Sequence, residues 1–477
     1  MNRDVLDWDA TTVAEKIRQK EISCEEATRT YIQQLEKVQP TLNILAEDRF
    51  DAAMKEAKAC DQKLTGTESG PLFGVPLTLK ESFDVEGMKT TGGLFHRKDF
   101  IAMEDAVVVA KLKRAGAIIL GKSNTPTLCF CQETDNKLYG RSNNPWDVKR
   151  TTGGSSGGEG ALIAIGGSSV GIGSDIGGSI RFPAHFNGVV GFKSGSNQVS
   201  QVGHFPYTEH ELQTRMLGIG ALSKSVRDAE QINQLISDAP EKDVELASFS
   251  VSIPAPLPEY PVSDDTRHIL TQVEQKIAAN LSHTFITSIR DDYPPMFEQV
   301  ALLWQYIMSI DGGKSIAELA LEGHSPWIAF LKERLLGTSR VHHYLSWALI
   351  GASLYKPSQK KIEKLSDTLK QLDAEIAQYF NHHILILPVY HTHALPHGEV
   401  YQEIFNIRKT FLQYLPYIAL ANTMGLPSLV IPAGVSSEGL PISVQLISSI
   451  GNEGALFRLG KILEQEVRGY VRCALHD

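Results

Sequence analysis

The chain has 477 residues, of which 42% are hydrophobic and 21% charged. That composition supports a sizeable core and excludes wholesale disorder. At roughly 150 residues per domain, the length fits three small domains or one large one carrying an insertion. Net charge is −9 with no basic block, which argues against nucleic acid as a partner. The longest apolar run, Ile384 to Tyr390, is far short of the roughly 20 residues needed to span a bilayer. Met1 to Lys16 is acidic and lacks the apolar core of a secretory signal. Cys24, Cys60, Cys129, Cys131 and Cys473 are an odd, sparse set, so no disulfide framework is expected and a reduced, cytoplasmic setting follows.

In chain order, Ser23 and Glu26 form a capping-box pattern ahead of Ala27, Tyr31, Leu35 and Val38, which recur at helical spacing. Val75, Leu77 and Leu79 alternate with Thr78 and Lys80, a strand pattern that sets Lys80 on the face opposite the aliphatics. Ala106 to Ala115 reads as a helix stopped by Gly116, and Ala117 to Leu120 as a short strand. Strand, helix and strand in that order predict a βαβ unit and a mixed or parallel sheet. From about 240 to 380 the pattern turns helical and divergent, with Ile362, Leu365, Leu369, Leu372 and Ile376 along one helix face. Strands return at Ile384–Leu387, Ser428–Ile431 and Ile442–Ser448, and a helix near Gly454–Val467 closes the chain.

The glycines are concentrated. Gly153 to Gly191 holds 13 of the 39, with six serines, and contains two Ser-bearing loops, Gly153–Gly158 and Asp175–Ser179. Such loops bring several backbone N–H groups to one place, which suits a phosphate or a developing oxyanion. A Walker loop is absent, and Gly171 to Gly177 is one residue off the dinucleotide fingerprint. Gly153-Gly154-Ser155-Ser156-Gly157 matches the GxSxG elbow, but Asn144 to Thr152 cannot be the buried strand that an elbow follows. Taken alone, the loops fit simple close packing as well.

The wider pattern decides between these. GGSSGGEGALI, SDIGGSIRFPA and GVVGFK, read together, resemble the signature of the amidase signature family, closest in look to fatty acid amide hydrolases. Gly74–Gly87, Leu120–Pro126, Asn143–Asp147, Ala421–Gly434 and Gly439–Ser448 match in order as well, so the resemblance covers nearly the whole chain and is weakest between about 240 and 380. It implies one α/β/α sandwich around a large mixed sheet, with the 240–380 segment shaping the substrate pocket. It also implies a Ser–Ser–Lys triad: Ser179 as nucleophile, Ser155 bridging behind a cis bond from Gly154, and Lys80 as base. Backbone N–H groups of Ile176, Gly177, Gly178 and Ser179 would form the oxyanion hole, and the backbone at Cys129 would touch substrate.

The chemistry implied is hydrolysis of a carboxylic amide, with esters as a second class, through an acyl-enzyme. It needs no cofactor or metal, and its partner is a small-molecule amide. Neither nucleic acid nor a transmembrane segment is implied, and monomer and homodimer both stay open. A desolvated Lys is a sound base, because burial disfavours the ammonium. Asp175 and Arg181 are expected to pair. Glu81 stands where the wider family has aspartate, and Gly220-Ala221 where Gly-Pro is common. A glutamyl-tRNA amidotransferase A-type subunit shares this fold and triad, but its signature reads DTGGSIRQPA where this chain has DIGGSIRFPA. His382, His383, His391, His393 and His397 cluster in sequence without an acidic or Cys ligand at a familiar spacing, and are expected to border the pocket entrance rather than bind metal. Cys129 and Cys131 are expected as a buried apolar pair.

Overall fold

The computed structural model describes residues 3–63, 70–239, 242, 244–281, 288–405 and 411–477. Its strands are β1 (Leu45–Asp48), β2 (Pro76–Lys80), β3 (Ile118–Ser123), β4 (Asp135–Asn136), β5 (Gly140–Arg141), β6 (Val170–Asp175), β7 (Val190–Lys193), β8 (Gly218–Ser223), β9 (Ser250–Ser252), β10 (Ile289–Arg290), β11 (His383–Pro388), β12 (Ser428–Val435) and β13 (Pro441–Ile447). All but β4 and β5, which pair with each other, join one 11-stranded mixed sheet ordered β1-β3-β2-β6-β8-β7-β12-β13-β11-β9-β10.

Side-chain alternation explains the layers. Ile384 and Ile386 of β11, Leu429 and Ile431 of β12, and Ile442, Val444 and Leu446 of β13 pack on one face. Leu385, Leu387, Val430 and Ile447 from the same strands pack on the other. Both faces are covered by helices, so the strands read as continuous apolar runs. The first face is covered by helices that include Cys24–Leu42, Val226–Ile236 and Glu453–Glu466, and the second by helices that include Arg181–Asn187, Val300–Met308 and Gln359–Tyr379.

The expected elements are present with small boundary changes. Ser23 Oγ accepts from Glu26 N at 2.9 Å, while Asp61 takes the Cys24 and Glu25 amides, so a carboxylate from the next helix completes the cap. The βαβ unit is β2, the helix Val107–Arg114 and β3, with Pro76 opposite Ile118 in parallel register. The segment expected to be helical contains two short strands as well, β9 and β10, which extend the sheet parallel to β11. Among the described residues no helix is long and apolar enough to cross a membrane.

Candidate active site

Lys80 ends β2. Leu77 and Leu79 point into the first core, which turns Thr78 and Lys80 to the opposite face. There β6 runs parallel to β2 and carries glycine at 171 and 173. A Cβ on Gly171 would lie 2.0 Å from a Glu159 carboxyl oxygen, and one on Gly173 would lie 2.7 Å from Ser156 Oγ. These glycines therefore let the helix Gly157–Ala164 settle directly onto the sheet, with the preceding loop above Lys80. In that loop the Gly154–Ser155 peptide is cis, and a Cβ on Gly154 would lie 2.7 Å from both Cys131 O and Glu133 N. Ser156 N donates to Ser179 O at 3.1 Å, which docks the two serine loops against each other. No buried strand leads into Gly153, so the elbow geometry is not formed.

The Lys80 side chain is wholly buried, with Nζ 2.6 Å from Ser155 Oγ and 3.0 Å from Ser174 Oγ. The carboxyls of Glu81, Glu159 and Asp175 each bond elsewhere. Glu81 accepts from Thr91 Oγ1 at 2.8 Å and from Gly92 N at 3.1 Å. Glu159 accepts from Thr78 Oγ1 at 2.7 Å, and burial pushes it up to about 8. Asp175 is held by Arg181, as expected: Nε reaches Oδ2 at 3.0 Å and Nη2 reaches Oδ1 at 3.1 Å, with both side chains fully buried. Burial alone would raise the Asp175 carboxyl, but the guanidinium overrides it and holds the group well below the usual carboxylate range. Burial correspondingly pushes the Lys80 ammonium down, and the weaker opposing influence of Cys129, Asp175 and Glu159 does not cancel that.

One amide of the expected oxyanion set is already engaged. Gly178 N donates to Asp175 Oδ1 at 2.8 Å, while Asp175 Oδ2 takes Ile180 N at 3.1 Å. Gly178 also carries the turn, at φ +94°. Among the described residues the N–H groups of Ile176, Gly177 and Ser179 have no protein acceptor, and they remain open to a ligand.

Ser179 opens onto a cavity with about 110 Å³ of room, lined by residues 129–132, Ile176, Gly177, Trp304, Met308, Trp347, Ala352 and Tyr355 among others. The walls come from the helices Val300–Met308 and His343–Leu354, within the divergent segment. Trp304 Nε1 donates to Ile176 O at 2.8 Å, and its ring packs over Gly177. Leu128 and Cys129 both adopt positive φ, +54° and +58°, which turns the loop along the cavity. Cys129 is half-buried, lines the cavity and lies beside Lys80, so only Cys131 fits the expected apolar burial.

The histidines do not converge and do not border this cavity. His391 meets Glu403 at 2.9 Å, His393 meets Glu438 at 3.1 Å, and His397 lies 3.1 Å from Val148 O. His382 bonds to Ser248, and His383 to Ser250 and Ser252. Among the described residues no cluster of His, Cys, Asp and Glu has the makings of a metal site. Sequence reasoning missed Ser174, Glu159 and Trp304. The first two lie inside the glycine-rich stretch, where only the contact to Lys80 or Thr78 sets them apart.

The chain matches the model of the Amidase family over residues 26–457. It is 34% identical to fatty-acid amide hydrolase 2-B of Danio rerio, across 98% of this chain and 91% of that protein. It is 28% identical to the A-type subunit of a glutamyl-tRNA(Gln) amidotransferase from Acidothermus cellulolyticus, across 98% and 95% of the two. A solved structure of 6-aminohexanoate cyclic dimer hydrolase superposes with a TM-score of 0.81, covering 99% of this chain and 100% of that one at 24% identity, which speaks to the fold.

Proposed function

Because this chain belongs to the Amidase family and is a hydrolase of linear carbon–nitrogen amide bonds, we propose that it works through an acyl-enzyme on Ser179, with Ser155 as proton relay and Lys80 as base. One observation carries this: a wholly buried Lys80, with no carboxylate partner among the described residues, lies 2.6 Å from Ser155 Oγ, beside the cavity onto which Ser179 opens. Neutral Lys80 takes the Ser155 proton while Ser155 takes that of Ser179. Ser179 Oγ then bonds to the amide carbon, and the oxyanion faces the N–H groups of Ile176, Gly177 and Ser179. The proton returns through Ser155 to the leaving nitrogen as the C–N bond breaks. Water repeats the sequence to free the acid, and esters follow the same course.

The cavity favours a compact apolar acyl group. Its room compares with the ~150 Å³ dry cavity that accommodates benzene, and Trp304, Met308 and Trp347 offer aromatic and thioether surface. The five unpaired cysteines support a reducing, cytoplasmic setting. The test is the purified chain alone against aryl, short aliphatic and long-chain amides, with ammonia release followed. Aryl or short acyl amides should turn over fastest, whereas a chain that works only in a complex would be silent. A fluorophosphonate probe with peptide mapping should label Ser179. Label on Ser155 with Ser179 unmodified overturns the assignment.

A further inference from the structure

A neutral lysine amine has two N–H donors and one lone pair. For Lys80 to accept the Ser155 proton, that lone pair must point at Ser155 Oγ. Its other hydroxyl neighbour, Ser174 Oγ at 3.0 Å, must then accept an N–H from Lys80 rather than donate to it. A serine hydroxyl free to rotate would satisfy itself by donating to the amine and would block the base. Something must therefore hold the Ser174 proton elsewhere.

Among the described residues, the only other partner of Ser174 Oγ is His204 Nε2, at 2.8 Å. The His204 ring is buried, and its Nδ1 lies 3.2 Å from Pro206 O. A carbonyl only accepts, so Nδ1 carries the ring proton and Nε2 presents a bare lone pair. The ring is fixed on its other side by Phe83, edge-on at 5.2 Å. The loop that bears it is pinned independently of the imidazole: Asp84 N donates to Gly203 O at 2.8 Å, and Phe205 N donates to Ser82 O at 2.7 Å.

We propose that His204 is a positioning residue for the base: it takes the Ser174 hydroxyl proton and so keeps the Lys80 lone pair aimed at Ser155. The proposal rests on the assignment of Lys80 as base. The charged and titratable groups around the pair are few. Lys80 faces Cys129, Asp175 and Glu159, and His204 faces Lys80. Burial pushes the imidazole down to about 3, so it stays an acceptor across the working pH range.

The test is a double-mutant cycle on kcat/KM for one soluble amide, with thermal unfolding as a folding control. His204→Phe keeps a ring against Phe83 but frees the Ser174 proton to donate to Lys80. Activity should fall about 10- to 100-fold, less than the ~10²–10⁴ for an absent base. Donation to the amine favours its neutral form, so the alkaline limb should also move to lower pH, by roughly half a unit or more. Ser174→Ala removes the competing proton and should cost less than His204→Phe. In the Ser174→Ala background, His204→Phe should add no more than about twofold. His204→Gln, whose carbonyl oxygen stands where Nε2 was, should keep activity within about fivefold of wild type.

If His204→Phe costs as much without Ser174 as with it, or lowers the plateau without moving the limb, the role is structural and the proposal falls. Should His204→Phe not fold, His204→Gln decides: a large loss there in a folded protein overturns the proposal. Near-normal activity in Lys80→Ala would instead overturn the base assignment itself, which separates the two failures.

Discussion

Glu159 carries a prediction about stability that follows from its surroundings alone. Its carboxyl is wholly buried, bonded to Thr78, and pushed by burial from an ordinary 4.5 up to about 8. Below pH 4.5 the folded and unfolded chains both hold this proton, so the group does not affect stability. Between 4.5 and about 8 the unfolded chain releases it while the fold keeps it. Stability therefore falls as pH rises, by about 1.4 kcal/mol per pH unit from this group. Above about 8 both states are ionised and the loss levels off. The whole interval amounts to at most about 5 kcal/mol, and relaxation around the charge should reduce it to about 2–3 kcal/mol.

Glu159→Gln preserves the volume and the acceptor for Thr78 but has no proton to lose. Urea unfolding of both proteins from about pH 5 to about pH 8 should show the variant gaining about 2–3 kcal/mol relative to wild type across that range. Every other titrating group is common to both and cancels in the difference. Parallel stability curves would show that Glu159 is already ionised in the fold. A charge there would favour the Lys80 ammonium and weaken the case for a neutral base.

Much of this is legible in the sequence because it depends on short-range pattern. Alternation through Val75–Leu79 places Lys80 on the face away from the core, and the paired glycines at 153–154 and 177–178 mark the two serine loops. The charge pair Asp175–Arg181 follows from two opposite charges bracketing a glycine-rich turn. What escapes depends on distant segments meeting. His204 sits in a loop with no periodicity, and is held near Ser174 because Gly203 and Phe205 bond back to Asp84 and Ser82 in the turn after β2. Trp304 belongs to a helix in the divergent segment, and nothing local ties it to Gly177. Strands β9 and β10, at three and two residues, are too short for alternation to register; β9 adds to the edge of β11 and β10 to that of β9. The Gly178 contact escapes as well, because a residue string counts donors in a loop but does not show that the Asp175 carboxylate turns back to take one.

Asp175→Asn leaves Arg181 charged and buried, and should cost about 3–5 kcal/mol in urea unfolding; a loss under about 1 kcal/mol would show the pair to be dispensable. Gly177→Ala would place a Cβ 2.7 Å from the Trp304 ring, and should lower kcat/KM about tenfold or more through overpacking. Adding Trp304→Phe should recover part of that loss, and no recovery would mean the clash is relieved elsewhere. His391→Ala, His393→Ala and His397→Ala, each away from the cavity, should keep turnover within about tenfold; a several-thousandfold loss at any one would point to a Ser–His mechanism. The last prediction concerns Lys80 and pH. Burial pushes its ammonium down, so the neutral, working form grows as pH rises, and kcat/KM should climb with it. Lys80→Ala should abolish most turnover and flatten the climb, because among the described residues no other amine contacts Ser155. An unchanged alkaline rise in Lys80→Ala at near-normal rates would place the base elsewhere, since the rise can belong to Lys80 only if it disappears with the amine.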